Sequence, residues 1–453
     1  MPSIRELALR IRDRRLTAED LVEQCLDTIF RRDDEVNAFI TILADEARER
    51  ARRADRELAH NQDLGILHGI PLSIKDLIDM EGQPTTAASK IRVGHRATSD
   101  APVLARLKAS GVVVVGKCNL HEFAFGTTGE DSAFGPTRNP RAPRHMAGGS
   151  SSGSAASVAA GMAMASVGTD TGGSIRIPAA ACGVVGLKPT LGELSTDGVV
   201  PLAPTLDHVG PLGLTVDDVT VVYRIMAGDH VTVKKDPQDG RVANHRHATA
   251  RLGVPTRYFL DLLDTDVSRA FVDMLARLRE AGCHIEEVNI PHADTIATTY
   301  RHTQLYEAFQ CHRQMLETRG NDYSPEVYQR LAAGRALSEE DYLQTQRDRL
   351  VLRSEVDAVL EEVVALVLPT LAFPAPPLGS KRLVLGGQSS DLRSLSLRLT
   401  QLFNLTGHPA ITLPCGTTPS GLPCATQLVG RRDKTAALLA LASRYESVIG
   451  MTR

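Results

Sequence analysis

Tryptophan is absent from the 453-residue sequence, and aromatic residues make up only 4% of it. Single-stranded nucleic acids are bound largely by stacking of bases on aromatic side chains, so this scarcity argues against a base-stacking surface. An excess of positive charge is also missing, because 51 basic and 54 acidic side chains leave a net charge of −3. Polyanionic partners are usually met by a basic surface. We therefore expect no nucleic-acid partner.

Paired cysteines and long apolar runs are missing as well. The seven cysteines form no CxxC pair and no His/Cys cluster with zinc spacing. We expect reduced, mostly buried thiols in a cytoplasmic protein. The first residues lack the apolar stretch of a signal peptide. The most apolar tract, 155–167, is too short and too rich in small residues to span a membrane. We interpret this tract as a buried helix and expect no membrane association.

The hydrophobic pattern predicts an α/β fold. Residues 1–60 show helical spacing throughout, and Thr17 with Asp20 is typical of a capping box. Residues 70–75 alternate as a strand does, and an amphipathic helix after Asp100 is followed directly by an all-apolar strand at 112–115. This order favours a wound α/β sheet. Further elements are expected as strands at 182–187, 284–288, 364–368, 410–413 and 425–429, as helices at 266–282, 300–365 and from about 434, and as an exposed connection at 228–250.

Two loops rich in glycine and serine flank the apolar tract, namely GGSSSGS at 148–154 and GTDTGGS at 168–174. Glycine lets backbone N–H groups approach a ligand, and such groups stabilise either a phosphate or a tetrahedral oxyanion. The phosphate interpretation requires G-x-x-x-x-G-K-[ST], which is absent. A flexible linker is disfavoured because both loops lie between strongly apolar elements. The G-x-S-x-G match around Ser151 is not a nucleophile elbow, because the preceding residues contain two prolines and form no strand.

A resemblance to a known family appears in several segments. These are GIPLSIKD at 69–76, the GGSSSGS loop, GTDTGGSIRIP at 168–178, CGVVGLKPT at 182–190, NLTGHPA at 404–410 and GLP at 421–423. Together they resemble the amidase signature family over residues 5–448. The resemblance implies one α/β domain over 1–453, with a mixed, twisted central β-sheet surrounded by α-helices. Within it we expect N-terminal helices at 1–60, a signature core at 69–215 and a helical region at 300–365 that caps a pocket.

The same resemblance implies a catalytic set. Lys75 corresponds to the family's base, Ser150 to its cis-peptide serine and Ser174 to its nucleophile. Its oxyanion hole corresponds to the backbone of Thr171, Gly172, Gly173 and Ser174. The residues themselves fit this chemistry, because a serine hydroxyl needs a base and a lysine accepts a proton only when burial lowers its pKa. Ser150 would relay the proton. No metal or organic cofactor is implied. Ser152 stands where the family usually has glycine.

Other residues are candidates for substrate contacts, namely Ala124, Phe125, Gly126, Ser151 and Arg176. Arg176 could bind a substrate carboxylate, but a local ion pair with Asp170 that braces the loop is the preferred interpretation. The segment from Glu122 to Thr128 resembles the family's substrate-lining loop. His121, Glu122 and His145 match no metal-ligand spacing, so polar loop contacts are favoured over a metal site.

The expected function is that of a serine hydrolase cleaving amide C–N bonds in small, largely neutral compounds. The family's acylamidases and urethanases imply aryl esters and carbamates as further substrates. The alternative is the A subunit of a glutamine-dependent tRNA amidotransferase. That subunit carries an acidic residue seven positions before the Asn of its N-L-x-G-x-P motif, where Leu397 stands here. An inactive binding protein on this scaffold is disfavoured because the three catalytic side chains are present. The oligomeric state is not predicted.

Overall fold

The structure is a computed structural model that describes residues 2–233 and 250–450. A mixed sheet of 11 strands runs through the centre of the protein. Two small hairpins add four strands. In chain order the strands are β1 (Phe39–Ile42), β2 (Pro71–Lys75), β3 (Val113–Cys118), β4 (Arg138–Asn139), β5 (Ala142–Met146), β6 (Ala165–Asp170), β7 (Val185–Lys188), β8 (His208–Gly213), β9 (Arg251–Pro255), β10 (His284–Val288), β11 (Ala365–Pro369), β12 (Arg382–Leu385), β13 (Gln388–Asp391), β14 (Ala410–Thr417) and β15 (Pro423–Val429).

The order of the strands places β2 and β6 side by side near the middle of the sheet. The large sheet reads β1-β3-β2-β6-β8-β7-β14-β15-β11-β9-β10, while β4 pairs with β5 and β12 with β13. Strand β2 is parallel to both β3 and β6, and β8 is antiparallel to β6. All residues of β2, β3 and β6 are buried, as expected for strands covered on both faces. The predicted α/β class with a mixed sheet is therefore confirmed.

Helices cover both faces of this sheet. They are α1 (Ile4–Arg12), α2 (Ala18–Val36), α3 (Ala44–Ala59), α4 (Pro102–Ala109), α5 (Ser152–Ala159), α6 (Arg176–Cys182), α7 (Val216–Ala227), α8 (Thr265–Glu280), α9 (Ile296–Arg319), α10 (Pro325–Ala333), α11 (Glu339–Glu362), α12 (Leu392–Leu397), α13 (Leu402–Leu405) and α14 (Thr435–Ile449). The capping box at the start of α2 is confirmed, because Thr17 Oγ1 accepts from the Asp20 N–H while Asp20 accepts from the Thr17 N–H. No helix within the two described ranges is both long and apolar enough to cross a membrane.

Three predicted elements differ from the observed ones. The strand expected at 182–187 begins only at Val185, because Cys182 is the last residue of α6 and Gly183 caps that helix. Residues 1–60 are not helical throughout, because β1 interrupts the helices and pairs antiparallel with β3 at one edge of the sheet. The apolar tract 155–167 is not one helix either. Helix α5 ends at Ala159, Gly161 turns the chain at φ +75°, and residues from Ala165 onward form β6. Pairing of β6 with strands on both sides outweighs the helical preference of its alanine-rich neighbour. Residues 234–249 of the predicted exposed connection lie outside the described residues.

The cysteines carry no covalent constraint. All seven are free, and every one except the partly exposed Cys311 is buried. Burial raises the pKa of Cys25, Cys182 and Cys415 to about 12. These thiols act as small apolar side chains of the core.

Candidate active site

The end of β2 delivers a lysine into the middle of the sheet. Lys75 is the last residue of this strand and is 0% exposed. Its Nζ donates hydrogen bonds to Ser150 Oγ and Thr169 Oγ1, both at 2.8 Å. Burial lowers the pKa of Lys75 to about 7, although the carboxylates of Asp170 and Asp207 oppose this shift. A substantial fraction of Lys75 is therefore neutral near neutral pH and able to accept a proton.

The first Gly/Ser loop, residues 148–154, lies between Lys75 and the second Gly/Ser loop, residues 168–174. Its Gly149–Ser150 peptide bond is cis, and Ser150 is fully buried. The next residue joins the two loops, because the Ser151 N–H donates to the carbonyl of Ser174 at 3.1 Å. The Ser151 hydroxyl bonds to the backbone of β6, donating to the Thr169 carbonyl and accepting from its N–H. Ser151 therefore holds the two loops together.

The second loop follows β6 and carries Ser174, which is 5% exposed. None of the amide N–H groups of residues 171–174 donates to another group in the described parts of the chain. Gly172 and Gly173 have no room for a side chain. A Cβ on Gly172 would lie 2.0 Å from Tyr300 Oη, and one on Gly173 would lie 2.3 Å from Thr400 Oγ1. Glycine thus allows this backbone to lie against α9 and the segment after α12, with its N–H groups unpaired.

A buried ion pair supports the second loop from beneath. Arg176 and Asp170 are both 0% exposed and form two parallel bonds, from Nη2 to Oδ1 at 3.0 Å and from Nε to Oδ2 at 3.1 Å. Burial alone would raise the pKa of Asp170, but the Arg176 guanidinium outweighs it and holds that pKa well below the usual range. Asp170 also accepts the N–H of Ile175, directly after Ser174.

Two further donors of Arg176 are used as well. Its Nη1 bonds to Gln427 and its Nη2 also bonds to Asn404. Because a substrate cannot reach a fully buried guanidinium, this geometry favours the bracing role of Arg176 over carboxylate binding.

The loop predicted to line the substrate site lies against the helical region. Phe123 and Ala124 adopt left-handed φ values of +50° and +59°, which are uncommon for residues with a Cβ. The Phe125 carbonyl accepts a hydrogen bond from Arg330 of α10, and the Phe125 ring lies 5.4 Å from the guanidinium of Arg393 in α12. Backbone strain of this kind is concentrated at functional sites in proteins. The loop is thus fixed by two arginines that lie more than 200 positions away in the sequence.

The three residues considered as metal ligands, His121, Glu122 and His145, do not form a common cluster. The ring of His121 pairs with Asp131 at 3.1 Å, and Glu122 accepts the N–H of Ser324. His145 lies in β5. Across residues 2–233 and 250–450 no group of three or more His, Cys, Asp or Glu side chains is arranged to hold a metal ion.

Sequence reasoning missed four residues around this site. Thr169 lies inside the quoted glycine-rich motif, but nothing in its type indicated a bond to Lys75. Asp207 accepts from the Thr171 hydroxyl at 2.6 Å, and burial raises the pKa of Asp207 to about 6. Tyr300 and Arg393 lie far along the chain, and their positions depend entirely on how α9 and α12 pack. Only long-range contacts could have identified them.

Comparisons with known proteins agree on the family. The family model described as Amidase matches residues 20–439. A relative from Chloroflexus aurantiacus, named as the A subunit of glutamyl-tRNA(Gln) amidotransferase, is 37% identical over 95% of this chain and 93% of its own. A crystal structure of an amidase superposes with a TM-score of 0.92 at 35% identity, covering 99% of this chain and 100% of that one. A structure described as a vestigial protein complex that reveals the evolutionary origins of an s-triazine catabolic enzyme gives a TM-score of 0.93 at 32% identity, with both chains fully covered.

These comparisons overturn two expectations. The expected independent serine hydrolase, with aryl esters and carbamates as further substrates, is wrong, because the curated relative is one chain of a tRNA amidotransferase. The expected absence of a nucleic-acid partner is wrong for the same reason. Composition and net charge describe the surface of one chain. They carry no information about a nucleic acid that binds elsewhere in an assembly.

Proposed function

The chain belongs to the amidase family of enzymes, and from this premise we propose that it is the amide-cleaving A subunit of a glutamine-dependent tRNA amidotransferase. In this role it would release ammonia from the side-chain amide of glutamine. The observation that carries the proposal is the identity of 37%, which extends over 95% of this chain and 93% of a relative with that name. The arrangement of Lys75, Ser150 and Ser174 supplies the chemistry.

The proposed reaction begins with attack of Ser174 Oγ on the amide carbonyl. Its proton passes through the Ser150 hydroxyl to neutral Lys75, whose Nζ lies 2.8 Å from Ser150 Oγ. The tetrahedral intermediate collapses when the same relay returns the proton to the departing nitrogen, which leaves as ammonia. Water then attacks the acyl-enzyme, again through the relay, and releases a carboxylate and free Ser174. The reaction needs no further reactant than water.

The unpaired N–H groups of residues 171–174 fit the oxyanion of this intermediate. Preorganised backbone donors need no rearrangement as charge develops, and removal of one such donor in other enzymes costs about 3 kcal/mol. Ala124, Phe125 and Gly126 belong to the loop expected beside the scissile group. We propose that this loop supplies backbone contacts to the acyl part, while α9 and α11 close the pocket.

The role within an amidotransferase is tested in an assembly rather than in the chain alone. The chain should be coexpressed with the other subunits of such an enzyme from the same genome, and conversion of Glu-tRNA(Gln) to Gln-tRNA(Gln) measured with glutamine as the nitrogen donor. We expect conversion that depends on the chain and disappears with Ser174→Ala, while ammonium chloride restores it. Failure to copurify with any partner, together with no glutamine cleavage, would overturn the proposal.

The proposed base makes the reaction dependent on pH. Because neutral Lys75 accepts the proton, kcat/KM should rise about tenfold per pH unit at low pH and level off above the Lys75 pKa of about 7. The profile from pH 5 to 9 should be measured on a primary amide, with thermal stability recorded at each pH to separate unfolding from titration. A flat profile over this range would exclude Lys75 as the titrating base.

A further inference from the structure

An arginine without a carboxylate partner lies beside the candidate active site. Arg393, in α12, is partly buried, and its Nε is buried with no hydrogen-bond partner among residues 2–233 and 250–450. Within those ranges its only hydrogen bond runs from Nη2 to Gln304 Oε1 at 2.6 Å. The neighbouring Asp391 is exposed, and its Oδ2 accepts from the Ser394 N–H and hydroxyl at the start of α12 rather than from Arg393. The guanidinium therefore has donors to spare.

A chain of contacts connects Arg393 to the loop of residues 168–174, which carries Ser174. Gln304 Nε2 donates to Tyr300 Oη at 2.6 Å, and Tyr300 Oη lies where a Cβ of Gly172 would be. Gly172 is two residues before Ser174. On its other side the guanidinium of Arg393 faces the ring of Phe125, in the loop expected to contact the acyl part of the substrate. Arg393 is thus linked through Gln304 and Tyr300 to the loop of residues 168–174, and it contacts the loop of residues 122–128 directly.

The carboxylates near this wall are already engaged by other groups, because Asp207 accepts from the Thr171 hydroxyl and Asp170 is paired with Arg176. Leu397, one turn after Arg393 in α12, is 5% exposed, and its Cδ2 lies 3.0 Å from the place of a Gly172 Cβ. Glu307, one turn after Gln304 in α9, is already bonded to Thr205 and Tyr342. Arg393, which has no carboxylate partner among the described residues, and the apolar side chain of Leu397 thus lie on the same helix beside the loop of residues 168–174.

We propose that Arg393 binds a carboxylate on the acyl part of the amide substrate. This inference rests on the proposed amide hydrolysis at Ser174 and specifies its substrate class, an amide that carries a second, ionised carboxyl group. Leaving a guanidinium donor buried and unpaired is costly, and a carboxylate is the partner whose two oxygens match its geometry. Gln304 and the Phe125 ring hold the guanidinium in place, so little ordering is needed on binding.

The test compares amides that differ only in the carboxylate. Succinamate, glutaramate and adipamate should be paired with the uncharged butanamide, pentanamide and hexanamide, and L-glutamine added as the amino-substituted form of glutaramate. We expect the wild-type enzyme to favour at least one carboxylated amide over its uncharged counterpart. Arg393→Gln should lower kcat/KM for that amide roughly 10- to 100-fold while leaving the uncharged amides within about twofold, since the lost contact is a charged hydrogen bond.

Two further variants separate binding from a structural effect. Arg393→Lys keeps the charge and should recover part of the lost activity on the carboxylated amide. Arg301→Gln removes an exposed positive charge one residue from Tyr300 and should leave all substrates unchanged. Equal losses on charged and uncharged amides in Arg393→Gln would show a structural role and overturn the proposal, as would an unchanged preference.

A binding measurement provides a readout that needs no turnover. Glutarate should bind to wild-type enzyme in a calorimetric titration and lose that binding in Arg393→Gln. Absence of glutarate binding together with no carboxylate preference would also overturn the inference. Glutamine separates the two proposals. Cleavage of glutaramate but not of glutamine leaves the carboxylate site intact and removes the amidotransferase role. Cleavage of glutamine at the same rate in Arg393→Gln as in wild type keeps the amidotransferase role and overturns the carboxylate site.

Discussion

An alanine at position 174 should abolish amide hydrolysis, lowering kcat by roughly 10⁵-fold or more, the scale seen when the nucleophile of a serine hydrolase is removed. Without the Ser174 hydroxyl no acyl-enzyme forms, and neither Ser150 nor Lys75 can substitute, because both are fully buried behind the loop. Ammonia release from a primary amide, followed with a coupled glutamate dehydrogenase assay, measures the loss. The proposed oxyanion donors are backbone groups that remain in place, so we expect substrate binding to be retained.

A serine of the neighbouring loop provides the matched control. Ser152 is buried and its hydroxyl bonds to Thr137 Oγ1 at 3.1 Å, away from the proposed relay. Ser152→Ala should therefore keep kcat within a few fold of wild type, and Ser152→Gly tests whether the residue usual in the family is tolerated here. If Ser174→Ala retained more than about 1% of wild-type kcat, the nucleophile would have to be another residue.

Candidate catalytic side chains could be selected from the sequence because each lies in a short segment with an unusual composition. Gly/Ser loops between apolar elements have few explanations, and the motif around Ser174 is local in sequence. The parallel pairing of β2 and β6 could not be read from the sequence, yet it brings Lys75 to Thr169. The end of α5 at Ala159 could not be predicted for the same reason. Ala165–Asp170 forms a strand because it pairs with β2 on one side and β8 on the other.

The substrate side of the site was beyond sequence reasoning. Arg393 and Phe125 are separated by more than 260 positions, and only the packing of α12 on the loop of residues 122–128 brings them together. Conversely, Arg176 lies two residues after the proposed nucleophile Ser174 and is a candidate substrate ligand from sequence. Its side chain instead points into the core, where it bonds to Asp170, Asn404 and Gln427. Nearness in sequence to a catalytic residue does not determine which way a side chain points.

Replacing Arg176 by methionine should destabilise the protein by about 3–5 kcal/mol, because it leaves the Asp170 carboxylate buried without its counter-ion. Activity should fall together with stability, since Asp170 also accepts the N–H of Ile175 beside the nucleophile. Urea denaturation followed by circular dichroism measures the free energy of unfolding, and the absence of tryptophan makes dichroism the better signal than fluorescence. The double variant Arg176→Met/Asp170→Asn should cost less than the sum of the two single variants.

An exposed ion pair of the same length separates burial from charge. Arg251 Nη2 lies 3.0 Å from Glu286 Oε1, the distance that also joins Arg176 to Asp170, but the Arg251 side chain is 50% exposed. Arg251→Met should therefore cost less than about 1 kcal/mol, since water screens the charge that remains. Equal effects of the two Arg→Met changes would contradict a bracing role for the buried pair. If Arg176→Met yields too little soluble protein for denaturation, Arg176→Lys keeps the charge without the paired bonds and should show an intermediate loss.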